Sequence, residues 1–219
     1  MTAKAKKSSS RNQLPVLETI KLLKRYYPNA HCALNYRNPF ELLVATVLSA
    51  QCTDDRVNQV TPGLFIQFPT PQKMATAPLG VLEDLVRSTG FFKNKSKNLK
   101  AASQALVTYH SGEVPQNIQA LVELPGVGRK TANVVLGNAF GIASGIVVDT
   151  HVTRLSRRLG WVNSENAVII ENQLCKKIPK EDWIMFSHYL ISHGRAVCKA
   201  RKPKCTQCFL EETCPKKGV

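Results

Sequence analysis

Two residues with usable chemistry stand beside backbone shaped by glycine and by helix ends. Lys130 follows Leu124-Pro125-Gly126-Val127-Gly128-Arg129, and Asp149 lies in Ile146-Val147-Val148-Asp149-Thr150-His151. An amine in the first turn of a helix meets the positive end of the helix dipole, which works against its charge. Partial burial, and Arg129 next door, would add to that effect and leave a nucleophile. A lysine at this place also has a plainer use as a phosphate contact, and from this stretch alone that use is the better founded. An acid that ends a buried apolar run at the entrance to a helix is first of all an N-cap. Capping fixes the direction of the carboxylate. The same group can then steady positive charge on a sugar ring, or relay a proton.

A third set is Cys198, Cys205, Cys208 and Cys214, spaced C-x6-C-x2-C-x5-C within 17 residues. The segment has few large apolar residues, so a metal centre is the expected organiser. Four thiolates suit tetrahedral zinc, although zinc ribbons use two C-x2-C pairs and this segment has one. Uneven spacing also suits a cubane iron–sulfur cluster, and spacing alone leaves both open. Lys199, Arg201, Lys202 and Lys204 fall between the first two cysteines. A loop pinned by metal at both ends would hold those four cations against a phosphate backbone. Cys32, Cys52 and Cys175 lie outside the set and are expected to be buried or inert.

The elements that position these residues read as helices. Ile118, Leu121, Val122 and Leu124 repeat at helical spacing before the glycines, and Ala132, Val135, Leu136 and Ala139 repeat after them. Pro125 stops the first helix because it lacks an N–H. Gly126 and Gly128 allow positive φ and close approach of the backbone to another group. The second helix starts near Arg129, and its first N–H groups point out of the N-terminus as a ready anion site. Asp149 enters a helix through Val152, Leu155 and Leu159, with His151 and Arg154 on it as candidates to face DNA.

Helical patterns fill most of the remaining chain. Thr53 and Asp54 cap one helix, Pro69 and Pro71 read as breaks, and Ser164 opens a helix through Val168 and Leu174. No sustained alternation of period two appears, so the fold is expected to be all-α, with about ten helices. Residues 1–13 read as a disordered basic arm. The 219 residues hold 30 Lys and Arg against 15 Asp and Glu, a net charge of +15. That excess favours nucleic acid, a ribosome or an anionic membrane surface as partner. No apolar run approaches the roughly 20 residues of a membrane span. Seven cysteines without a secretion signal point to a reducing, intracellular compartment.

Leu-Pro-Gly-Val-Gly-Arg-Lys, then Val-Asp-Thr-His, then the four cysteines, in that order, resemble the endonuclease III family of helix-hairpin-helix DNA glycosylases. The resemblance spans about residues 14 to 216. It implies a bifunctional enzyme that removes oxidised pyrimidines and cleaves the abasic site by β-elimination. It implies that Lys130 attacks the sugar to form a Schiff base, that Asp149 is its acidic partner, and that the four cysteines hold a [4Fe–4S] cluster. It also implies two helical lobes: a six-helix barrel over residues 32–142, and a second lobe of 14–31 plus 143–219. The expected partner is double-stranded DNA with a damaged pyrimidine or abasic site, bound by a monomer in the bacterial cytoplasm or nucleoid. Gly126, Gly128, Arg129, His151 and the four cations of the cysteine loop are the expected DNA contacts. Base flipping leaves a gap that must be filled. In the family pattern Gln51, of Leu48-Ser49-Ala50-Gln51-Cys52-Thr53-Asp54, fills it. A second wedge follows Gly90, where Phe91 and Phe92 replace the commoner Leu. Two rival readings are an adenine glycosylase of the same superfamily, which lacks the nucleophilic lysine, and a non-catalytic DNA-binding protein with a zinc knob.

Overall fold

The computed structural model describes residues 14–219, and the basic arm expected at 1–13 lies outside them. Among the described residues there are eleven α-helices and no strand. They are α1 (Val16–Tyr26), α2 (Pro39–Leu48), α3 (Asp54–Gln67), α4 (Pro71–Thr76), α5 (Leu79–Val86) and α6 (Phe92–Tyr109), then α7 (Ile118–Glu123), α8 (Arg129–Phe140), α9 (Thr150–Arg158), α10 (Ala167–Cys175) and α11 (Trp183–Ala196). Six of these helices begin on a side chain that accepts from their first turn: Asn38, Thr53, Thr70, Asn117, Asp149 and Asn166. Each such cap contributes about 1 kcal/mol.

Two local expectations are corrected. Pro71 does not break the chain but opens α4 at its first position, behind Thr70 as cap. A missing N–H is harmless there. Asn166, not Ser164, caps α10, while the Ser164 hydroxyl accepts from the Asn166 N–H.

The chain divides into two compact units, residues 31–145 and residues 14–30 with 146–219. In the unit of residues 31–145, every residue of α2 from Phe40 to Leu48 is buried. A mostly apolar helix that is buried on every side belongs at the centre of a bundle. Accordingly α2 packs on α3, α6 and α8, while α4 and α5 pack on α6 and α7 packs on α8. Leu42 and Leu48 are fully enclosed, and truncating either to alanine would cost about 2–5 kcal/mol. This core fixes the two ends that matter later, the C-terminus of α2 and the N-terminus of α8.

The other unit is discontinuous in sequence. Ile20 and Leu23 of α1 share a core with Val152 and Leu155 of α9, Ile170 and Leu174 of α10, and Phe186 and Leu190 of α11. Its cysteine-rich end is anchored by Leu210, which is 2% exposed, and by Phe209, whose ring stacks on Tyr26 at 4.0 Å. That end therefore has some apolar packing of its own. Among the described residues no helix is long and apolar enough to cross a membrane.

Candidate active site and cysteine segment

The turn between α7 and α8 is built by burial at two positions and by glycine at a third. Leu124 and Val127 plug into the core, at 3% and 5% exposure, and the Val127 N–H donates to the Leu124 carbonyl at 3.0 Å. Gly126 has φ +78°, and a Cβ there would lie 2.8 Å from the Cβ of Asn98. Both roles expected of a glycine, positive φ and close approach, apply at Gly126. Gly128 departs from the expected positive φ. Its φ is −88°, and a Cβ there would meet nothing of the protein within 4 Å. The open space at Gly128 faces outward, where a phosphate backbone could come close.

Helix α8 begins at Arg129, and Gly128 in front of it supplies no side-chain cap. Its first N–H groups are thus aimed at whatever anion approaches. Arg129 and Lys130 follow and are both exposed. The partial burial expected for Lys130 is absent. The face of α8 that enters the core starts only at Ala132 and runs on through Val135 and Leu136, so Lys130 precedes the first buried turn.

The expected wedges stand on two loops of this same unit. Gln51 is exposed at φ +53° in the loop after α2. Phe91 is 63% exposed at φ +48°, just before α6. Phe92 packs on the core, with the Arg87 guanidinium 4.7 Å above its ring. Of the two phenylalanines, Phe91 is the one available to a partner.

Asp149 belongs to the other unit. It is half-buried and caps α9, accepting from the Val152 N–H at 2.8 Å. His151 is half-buried, with its ring against Gly194 and its Nδ1 3.1 Å from the Arg154 guanidinium. Arg154 does not reach outward as expected. It donates to the carbonyls of Gly194 and Cys198, at 3.3 and 3.0 Å from one nitrogen. Burial lowers its affinity for its proton.

The four cysteines 198, 205, 208 and 214 line one cavity, together with Arg158, His193 and Leu210. Three of the sulfurs accept N–H donors at 3.4 Å: Cys198 from Arg158, Cys208 from the Leu210 backbone, and Cys214 from the Lys216 backbone. Donors aimed at sulfur suit thiolates that bear charge, and they tune metal-bound ones. Burial pushes the Cys208 thiol up to about 11 and raises Cys214, so deprotonation here calls for a metal partner. His193 fills the space behind Cys208, with Nε2 3.5 Å from its sulfur and Nδ1 2.8 Å from the Tyr27 hydroxyl. Burial brings His193 down to about 4, which keeps its ring neutral. Among the described residues, no three His, Cys, Asp or Glu side chains form a group that could hold one metal ion. Four thiols that line one cavity, three of them with an N–H donor on sulfur, fit a metal centre held by thiolates. Arg158 completes the frame by donating to the Lys199 and Ala200 carbonyls, at 2.7 and 3.0 Å. Lys199, Arg201, Lys202 and Lys204 between the first two cysteines are all exposed.

Sequence reasoning missed Lys95 and Arg158. Lys95 had a signal: it is in register with Leu99, Ala102 and Leu106 on the buried face of α6. Arg158 had none, since the carbonyls it holds lie more than 40 residues away.

Comparison with known proteins agrees with this geometry. Residues 44–180 match the model of the HhH-GPD superfamily base excision DNA repair proteins, and residues 198–214 match the iron–sulfur binding domain of endonuclease III. The endonuclease III of Synechocystis sp. is 51% identical over 215 residues, 98% of each chain. A non-covalent endonuclease III–DNA complex superposes with a TM-score of 0.88 at 45% identity, covering 92% of this chain and 94% of that one. A trapped endonuclease III–DNA covalent intermediate gives 0.86 at 45% identity, covering 93% and 97%.

Proposed function

The chain belongs to the endonuclease III family, and from that premise we propose that Lys130 is its nucleophile, Asp149 the acidic partner, and oxidised pyrimidines in duplex DNA its substrates. It is a base-excision-repair DNA glycosylase with AP-lyase activity, and its cofactor is an iron–sulfur cluster. Cys198, Cys205, Cys208 and Cys214 would hold that cluster as [4Fe–4S]. When bound, it supplies a rigid centre that fixes the basic loop. The zinc-knob reading falls with the match of residues 198–214 to an iron–sulfur domain, and the adenine-glycosylase reading is disfavoured by Lys130 itself.

The observation that carries the proposal is Lys130 exposed in the first turn of a helix that no side chain caps. The hairpin N–H groups and Arg129 would take phosphates and leave the flipped sugar to the lysine. The Nζ gives up a proton and attacks C1′, and the base departs with the electron pair of the N-glycosidic bond and a proton. The nitrogen lone pair then opens the C1′–O4′ bond, O4′ takes up a proton, and the resulting protonated imine makes the C2′ proton acidic. Its removal expels the 3′ phosphate and breaks the strand 3′ to the lesion, and water then releases the amine. Asp149 is held in one direction by the Val152 N–H. It is suited to stabilise positive charge on the sugar and to accept or pass protons. Gln51 and Phe91 would fill the gap left by the flipped nucleotide, and the four cations beside Cys198 would grip the backbone. The enzyme would act as a monomer, inside the cell, in the bacterial cytoplasm or nucleoid.

Borohydride reduces an imine to a stable amine, which gives a direct test. The wild-type protein should be trapped on abasic DNA. Lys130→Gln should bind the same duplex but lose trapping and strand cleavage by about ten-thousandfold or more, a loss of the size that follows removal of a nucleophile. Trapping of the variant at the wild-type level would reassign the nucleophile.

A further inference from the structure

Lys95 is buried at 5% exposure, and its Nζ lies 2.8 Å from the Leu48 carbonyl and 2.7 Å from the Thr89 carbonyl. It stands in the first turn of α6, where the helix dipole disfavours a cation. Burial disfavours the charge as well, and lowers the lysine's affinity for its proton. A methionine of similar length would pack in the same space without either cost, but it would leave both carbonyls without this donor. The lysine is explained by what those two carbonyls belong to.

Leu48 ends α2 and leads into the loop that carries Gln51, while Thr89 precedes Gly90 and Phe91. Both loops turn through a non-glycine residue of positive φ, Gln51 at +53° and Phe91 at +48°. Such conformations cost about 1–3 kcal/mol each and persist where the surroundings hold them. The Lys95 backbone N–H also donates to the Phe91 carbonyl at 3.0 Å. One residue thus binds the root of the Gln51 loop, the root of the Phe91 loop, and Phe91 itself.

We propose that Lys95 is a positioning residue that ties the Gln51 and Phe91 loops to one ammonium and so sets the spacing at which the two side chains enter an opened duplex. The proposal rests on the wedge reading of Gln51 and Phe91 given above. Lys95 touches no reacting atom. It acts through the two loops, so its loss should harm the opening of a duplex and spare the chemistry at Lys130.

The experiment compares the wild-type protein, carrying its cluster, with Lys95→Met, Phe91→Ala, Gln51→Ala and the double variant Lys95→Met with Phe91→Ala. Lys95→Arg is added because it keeps charge but spreads its donors over a planar fork, and it serves if Lys95→Met does not fold. One readout is the fluorescence of 2-aminopurine placed opposite a stable abasic analogue, which rises when the orphaned base is unstacked. The others are base excision from duplex DNA and borohydride trapping on a single-stranded abasic oligonucleotide, which has no duplex to open. Lys95→Met should lose the fluorescence rise and up to about 100-fold in excision turnover, the cost of a reacting group held slightly out of place. Single-strand trapping should stay within about twofold of wild type. The double variant should be no worse than the poorer single variant, because both changes act on one wedge. A parallel fall of excision and single-strand trapping would overturn the proposal, as would full additivity or an unchanged fluorescence rise in Lys95→Met. If Phe91→Ala and Gln51→Ala leave the rise intact, the wedge reading itself has failed and the role of Lys95 goes with it.

Discussion

The hairpin of residues 124–130 and the cysteine segment of residues 198–214 both present cations outward, yet they are held in opposite ways. The hairpin is held by its own packing. Leu124 and Val127 enter the core, Gly126 closes on Asn98, and α8 follows at once. The cysteine segment has one 3₁₀ turn, Cys205–Gln207, and one fully buried side chain, Leu210. Its carbonyls and sulfurs are taken instead by Arg154, Arg158 and backbone N–H groups. A short chain can keep a fixed shape by burying apolar residues or by binding a cofactor through polar ligands. The first route suits a turn proposed to carry the reacting lysine in one register. The second suits an exposed basic loop that has little apolar surface to bury.

That contrast can be broken most strongly at a cysteine. Cys208→Ser should remove visible iron–sulfur absorbance and abolish hydrogen-exchange protection over residues 198–214, while protection over 118–140 survives. Equal loss in both stretches would show that the hairpin also depends on the cluster. A smaller effect separates the two glycines of the hairpin. Gly126→Ala forces a side chain onto φ +78° and against Asn98, and should cost about 1–3 kcal/mol in thermal or denaturant unfolding. Gly128→Ala meets no neighbour and should cost about 1 kcal/mol or less. Its methyl group would lie where the proposed phosphate contact is made, so duplex affinity should fall although the fold is kept. If Gly128→Ala binds as tightly as wild type, that face of the turn does not touch DNA. The smallest effect per residue is expected in the cysteine loop. Alanine at Lys199, Arg201, Lys202 and Lys204 should weaken binding to all sequences alike. It should also flatten the salt dependence of log K by about 0.9 for each phosphate that the loop no longer neutralises. An unchanged slope would remove the loop from the interface.

The parts of the site that are local in sequence were legible in it. The switch from apolar periodicity to Pro-Gly-Val-Gly and back marks the hairpin within a dozen residues, and the Asp149 cap is marked by Val-Asp-Thr-His. The four cysteines mark their own segment, although spacing alone did not separate zinc from iron. What stayed hidden depends on contacts across long stretches of chain. Lys95 is in register with the buried face of α6, but only the fold brings the Leu48 carbonyl, 47 residues away, onto it. Arg154 looked like a surface cation for the same reason, because the carbonyl of Cys198 is 44 residues on. Pro71 was ambiguous in kind, since proline both ends helices and starts them. Of the two uses expected of Gly128, positive φ is absent, while its outer face leaves room for the close approach of another group.

The assignment of Lys130 as the nucleophile is tested most directly by locating the covalent bond. The borohydride-trapped complex on abasic DNA would be digested and the modified peptide sequenced by mass spectrometry. The sugar remnant should be found on the Nζ of Lys130. A remnant on Lys95, or on any other amine, would contradict the account.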